Sequence, residues 1–232
     1  EHVGDVHVLA LEADRLQHRG EQLPGTTRDW YTVQSWVEAA GAKSTIVWSP
    51  VEAPLVQFGD INTGKWLKKL ELKNAFVFSY ALNNLWMTNF KASQGGTLVF
   101  RYSLTSRAGG TDPVAATRFG WETQSPLQAV WLPEKAKGTL AADKASFFAV
   151  DAPNVVIQAV LPAWKGEGIA VRLREIAGRE GRAHVTTPLL TADTVRYFVT
   201  DIAENPANSF QVVPGSIYAP VKPHGIHTVV IK

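Results

Sequence analysis

Cysteine is absent from the 232 residues, which rules out disulfide staples, thiolate metal sites and a cysteine nucleophile. No stretch reaches the roughly 18 apolar residues of a membrane span, and no basic segment followed by an apolar one opens the chain. A membrane partner is therefore not expected. Charge of one sign is lacking too: 23 Lys and Arg stand against 21 Asp and Glu, a net charge of +2, with the cations scattered among the acids. That removes the electrostatic footprint of a nucleic-acid binder, so no nucleic-acid partner is expected. There is no Gly-x-Ser-x-Gly elbow and no phosphate-cradling glycine loop; the nearest glycine cluster, Lys165-Gly166-Glu167-Gly168, reads as a turn between strands. The expectation is a soluble protein of open compartment, the bacterial cytoplasm being one candidate, since secreted bacterial proteins also dispense with cysteine. The chain opens on Glu1 and not on Met, which reads as a piece of something longer.

What is present points to β structure. Short runs rich in Val, Ile, Phe, Tyr and Trp are separated by clusters of Gly, Pro, Asn and Asp, the pattern of an antiparallel all-β protein. At 45% hydrophobic and 19% charged residues the chain can bury one large core, and a single domain over 1–232 is expected. Phe76, Phe78, Tyr80 and Leu82 alternate with Val77, Ser79 and Ala81, and Leu98, Phe100, Tyr102 and Leu104 repeat the device. Each run should turn its aromatic face to the core, and the two should be sheet neighbours or near neighbours. Val155–Leu161, apolar on both faces except for Gln158, reads as a strand covered from both sides. Further strands are predicted over Ile169–Ile176, Val195–Thr200 and Ile226–Ile231, with a short helical exception at Leu9–Gln17.

One segment, Ser79-Tyr80-Ala81-Leu82-Asn83-Asn84-Leu85-Trp86-Met87-Thr88-Asn89-Phe90, resembles a signature of the C-terminal regions of glycoside hydrolase family 38, the α-mannosidases. Gln94-Gly95-Gly96 then leads into Phe100-Arg101-Tyr102-Ser103-Leu104, similar to that family's next strand. Asp151–Ile157, Leu161-Pro162-Ala163, Arg172-Leu173-Arg174-Glu175 and Val221–Thr228 follow in the family's order, although His224 and Gly225 stand where an aromatic and an acidic residue are common. The resemblance spans about residues 45–232.

It implies a large antiparallel β-sandwich of the super-sandwich type found in galactose mutarotases, forming the last domain of a multidomain retaining glycosidase. The partners so implied are an N-terminal catalytic domain of the same protein and carbohydrate. The family's nucleophilic aspartate, acid/base carboxylate and zinc belong to that absent catalytic domain. No cofactor is expected here, because none of the six histidines is followed two positions later by Asp, the family's zinc pair. His224 and His227 lie three apart in an extended segment and so face opposite sides, which reads as two exposed edge histidines and not a ligand pair.

No catalytic residue is assigned. Asn83, Asn84, Trp86, Thr88 and Asn89 gather amides and a hydroxyl around an indole, the chemistry of a sugar contact or of a domain seam. The same side chains serve equally well to hold an irregular backbone while Trp86 fills the core. Glu175 continues the apolar face of Ile169, Val171 and Leu173, so it must be solvated or paired, with Arg101, Arg172 or Arg174 as partner. Arg101, Arg174 and Glu175 thus join the candidate carbohydrate or interface set. Most of the eight tryptophans, notably Trp48, Trp66, Trp121, Trp131 and Trp164, are expected to be core or domain-seam residues, and any exposed ones are candidates for stacking on sugars. The rival readings are a free-standing carbohydrate-binding module and an epimerase-like enzyme. The second needs a His and a Glu in one concave site, and His184 is the only histidine well inside the chain.

Overall fold

The computed structural model describes residues 7–9, 25–62, 64–68, 70–83, 89, 91–133, 138, 143–164, 166, 168–190, 197–210 and 216–232. Nearly all regular structure among them is antiparallel strand, and one helix is present, so the chain has the all-β antiparallel sandwich class that the sequence predicts. It forms two compact units, Glu1–Gln128 and Ala129–Lys232.

Unit 1 contains β1 (His7–Leu9), β2 (Tyr31–Thr32), β3 (Val37–Ala40), β4 (Ser44–Pro50), β5 (Leu55–Phe58), β6 (Val77–Ser79), β7 (Tyr102–Ala108) and α1 (Pro113–Gln124). One sheet has the order β1-β3-β4-β7 and the other β2-β5-β6. Alternation along β4 explains the layering. Thr45, Val47 and Ser49 are buried, and Val47 packs with Trp36, Ala116 and Phe119 of the helix side. Trp48 points the other way, onto the cluster of Tyr31, Val33, Val37, Val56 and Phe58 shared with the second sheet.

The helix starts where Asp112 accepts hydrogen bonds from the amides of Val114 and Ala115, with Pro113 in the first turn, where a missing N–H costs nothing. Gly120 lets it come close: a β-carbon there would stand 2.8 Å from the carbonyl oxygen of Ser35. The Trp36 indole donates to Thr117 Oγ1 (3.1 Å) and fixes the same contact.

Unit 2 contains β8 (Ala149–Val150), β9 (Val155–Pro162), β10 (Ile169–Glu175), β11 (Gly181–Thr186), β12 (Tyr197–Thr200), β13 (Pro206–Phe210), β14 (Ser216–Val221) and β15 (Ile226–Ile231). A five-stranded sheet, β13-β12-β15-β10-β9, faces a three-stranded one, β14-β11-β8. Between them Val171, Leu173, Val199, Val229 and Ile231 meet Ala183, Val185, Ile217, Ala219 and Val221, all buried. This is a sandwich core, and each fully buried Leu or Val contributes roughly 1.5–3 kcal/mol.

Several expectations are corrected. Phe76, Leu82, Leu98 and Leu104 are exposed, and Val77, not an aromatic, packs on the unit 1 core from β6. β6 pairs with β5 and β7 with β4, so the two aromatic runs lie in different sheets. Ser79 Oγ of one run and the Tyr102 hydroxyl of the other are hydrogen-bonded, 2.8 Å apart. β9 is an edge strand and not an interior one: Val155 and Val156 are buried, but Val160 and Leu161 are exposed. His224 sits in the turn before β15, and His227 lies on an interior strand, half-buried, accepting the Lys222 amide at Nε2 (2.8 Å), so they are not two edge histidines. Leu9 ends a strand, and Ala10–Gln17 lies outside the described residues.

Candidate functional site

In unit 1 the segment that carries the paired asparagines leaves β6 beside an aromatic ledge. Trp30 lies against Tyr80 (centroids 6.1 Å), and Trp48 stacks on Tyr102 (5.3 Å, 20° between planes). Asn83 and Asn89 are exposed, whereas Asn84, Trp86 and Thr88 lie outside the described residues. Next to Tyr102, Arg101 is gripped by Glu52: its Nε is 2.6 Å from Oε1, and its amide 2.7 Å from Oε2. The Arg101 amide above all, joined by its guanidinium, holds the Glu52 carboxyl below its ordinary range against the opposing effect of desolvation. Arg101 is largely exposed, so this pair orients a side chain more than it stabilises the fold.

A second pair lies beneath α1. Glu38, fully buried on β3, takes the guanidinium of Arg107 and the amide of Asp112, and its Oε2 has no hydrogen-bond partner. It ties the end of β7 to the helix start.

In unit 2, Glu175 is fully buried, and its partners are amides, not arginine. Oε1 accepts Asn154 Nδ2 (2.8 Å) and the Ala177 amide (2.8 Å), and Oε2 accepts the amides of Gly178 (2.7 Å) and His224 (2.9 Å). Burial pushes its carboxyl up, but these donors outweigh it and leave it below the ordinary glutamate value. The expected ion pair is thereby replaced. Sequence pattern misses it because three of the four donors are bare backbone amides, and Asn154 and His224 lie far from Glu175 in the chain. Glu175 thus ties together the segments of Asn154, Ala177–Gly178 and His224. Arg174 occupies the register position between Val156 and Ile226, half-buried on β10. Arg172 Nε is buried without a hydrogen-bond partner.

The outer face of the three-stranded sheet carries His184, stacked on Tyr218 (4.7 Å, 11°), with Nε2 3.0 Å from Ser216 Oγ. Nδ1 stands 3.9 Å from Asp151 Oδ2, beyond hydrogen-bond reach, so this row is not an oriented base–nucleophile pair as it stands.

The outer face of the five-stranded sheet holds a recess lined by Ala163, Phe198, Thr200, Glu204, Pro206, Val230 and Lys232. Glu204 is buried, at φ 60°, and its Oε2 accepts the amide of Trp164 (2.6 Å). The Trp164 ring itself is 85% exposed. Trp66 and Trp131 are also exposed, Trp48 and Trp121 half-buried, and Trp36 is core. Among the described residues no three His, Cys, Asp or Glu are grouped to hold a metal, and no helix is long and apolar enough to cross a membrane.

Antiparallel sheets forming two-layer β units define the fold class as a β-sandwich. No protein-family model and no curated protein matches the sequence. The chain is similar to an α-mannosidase from Enterococcus faecalis V583, with a TM-score of 0.57 and 15% identity over 90% of this chain and 22% of that one. It is also similar to a protein of glycosyl hydrolase family 38 from Enterococcus faecalis, with a TM-score of 0.54 and 12% identity over 87% of this chain and 22% of that one. The fold is therefore that of part of a family 38 chain, in agreement with the sequence resemblance, and this chain spans about a fifth of the length of those proteins.

Proposed function

We propose that residues 1–232 are the C-terminal β-sandwich domain of an α-mannosidase-like retaining glycoside hydrolase, a domain that supports the catalytic domain and does not itself cleave the glycosidic bond. The observation that carries the reading is the fold likeness, which takes in 90% of this chain but only 22% of the α-mannosidase. Ordered sequence blocks from Asn83 to Thr228 support it. The exposed apolar side chains Val99 and Leu104 in unit 1, and Val130, Trp131 and Leu132 in unit 2, are surface of the kind that neighbouring domains cover. Asn83 and Asn89, both exposed, are the residues of the paired-asparagine segment suited to a seam or a cleft edge.

The chemistry belongs elsewhere in this reading. Retaining hydrolysis needs two carboxyl groups about 5–5.5 Å apart with a sugar between them. Glu52, Glu38 and Glu175 are each committed to a cation or to amides. The direct test is the coding sequence upstream of Glu1. It is expected to encode several times this length of chain, with the His-x-Asp zinc pair and a nucleophilic aspartate. A reading frame that opens at Glu1 would overturn the proposal.

A further inference from the structure

The stretch Pro126-Leu127-Gln128-Ala129-Val130-Trp131-Leu132-Pro133 carries no charged side chain. It follows helix α1 closely and runs on without turn, bend, helix or strand, and every residue in it is exposed. The exposure is extreme for apolar groups: Leu127 103%, Trp131 95%, Val130 76% and Leu132 70%. Side chains at such values make little contact with the fold. Four large apolar ones within six residues are also unlike the scattered single exposures that a protein surface normally shows.

The pattern of the segment sets what covers it. Pro126 and Pro133 lack the N–H that a sheet needs and so bracket six residues, Leu127–Leu132, the usual length of one strand. At period two, Leu127, Ala129 and Trp131 share one face and Gln128, Val130 and Leu132 the other, so both faces are largely apolar. A flat surface or a ligand groove covers one face only. A strand apolar on both faces is satisfied by a sheet edge with a layer on each side, where its backbone groups pair as well. The lack of charge gives an anionic membrane or a polyelectrolyte nothing to grip. Size then separates an attached partner from a free one. Even at the ~200 Å² of a tryptophan apiece, more than Leu or Val provides, the four side chains offer at most ~800 Å². That ceiling only reaches the share of about 800 Å² per partner in an ordinary interface between separate molecules. A partner on the same polypeptide needs less, because attachment makes the encounter intramolecular.

We infer that Leu127–Leu132 is a β-strand that completes a sheet edge in the portion of the same polypeptide preceding Glu1. This role rests on the reading of the chain as the C-terminal part of a larger glycosidase, in which a likeness to 22% of an α-mannosidase leaves most of such a chain elsewhere. It gives that reading the element by which the two portions are joined.

Amide hydrogen exchange, followed by mass spectrometry, compares the complete gene product with the 232-residue chain at low and high concentration. The peptide over 126–133 should exchange freely in the chain and about a hundredfold more slowly in the complete product. Val130→Asp should lower the melting temperature of the complete product by several degrees and leave that of the chain unchanged, since Val130 is exposed there. Free exchange over 126–133 in the complete product overturns the inference. Protection already present in the 232-residue chain overturns it too: independent of concentration, it assigns the strand to this chain itself, and rising with concentration, to a second copy. Free exchange in a product that carries the upstream catalytic sequence leaves the proposed function standing, whereas a reading frame that opens at Glu1 removes both.

Discussion

Glu175 shows how a single side chain can look functional in sequence and prove structural. An acid continuing an apolar strand face suggests a partner of opposite charge, yet four N–H donors from Asn154, Ala177, Gly178 and His224 do that work. Glu175→Ala should therefore cost about 3 kcal/mol in urea unfolding, because it strands buried amides as well as removing charge-assisted bonds. The pH dependence follows from the same geometry. Glu175 lies below its ordinary value of 4.5 in the fold, so its stabilisation is present above that pH and is lost as the pH falls through the lower folded value. Burial likewise holds His227 below 6.5, and its Nε2 must stay unprotonated to accept the Lys222 amide. Its contribution is full above 6.5 and lost on acidification. Urea midpoints should thus begin to fall below about pH 6.5. His227→Gln should flatten that upper part of the profile and leave the part below pH 4.5 in place; an unchanged profile between pH 6.5 and 5 would contradict the assignment.

At the scale of elements, strands with one apolar face are the legible ones. β10, β12 and β15 fall within or almost on their predicted ranges because alternation and a closing turn coincide there. β9 misleads because its apolar residues run past the covered part of an edge strand, leaving Val160 and Leu161 in solvent. Helix α1 escapes periodicity altogether. Its buried residues are Ala116, Thr117 and Gly120, small and partly polar, and its signal is the cap Asp112-Pro113. Small residues are there because the helix lies close on Ser35. Gly120→Ala, which would ordinarily favour a helix by about 1 kcal/mol, should instead destabilise unit 1 by about 1–3 kcal/mol through contact with the Ser35 carbonyl. Thermal unfolding followed by circular dichroism reads the sign directly.

For the molecule as a whole, the class of fold and the family resemblance are readable from ordered blocks of sequence, and the likeness to the Enterococcus faecalis α-mannosidase fold agrees with both. The candidate site is less readable. Asn83 and Asn89 are exposed, and Arg101 is bound to Glu52. That pair joins residues 49 positions apart, which meet only on folding. The central claim is that the hydrolytic chemistry resides outside these residues. Hydrolysis of 4-nitrophenyl α-mannopyranoside by the complete gene product and by the 232-residue chain, side by side with zinc present, tests it most directly. Turnover is expected from the complete product and none from the chain. Turnover by the chain alone, abolished by substitution of one of its own carboxylates, would contradict it.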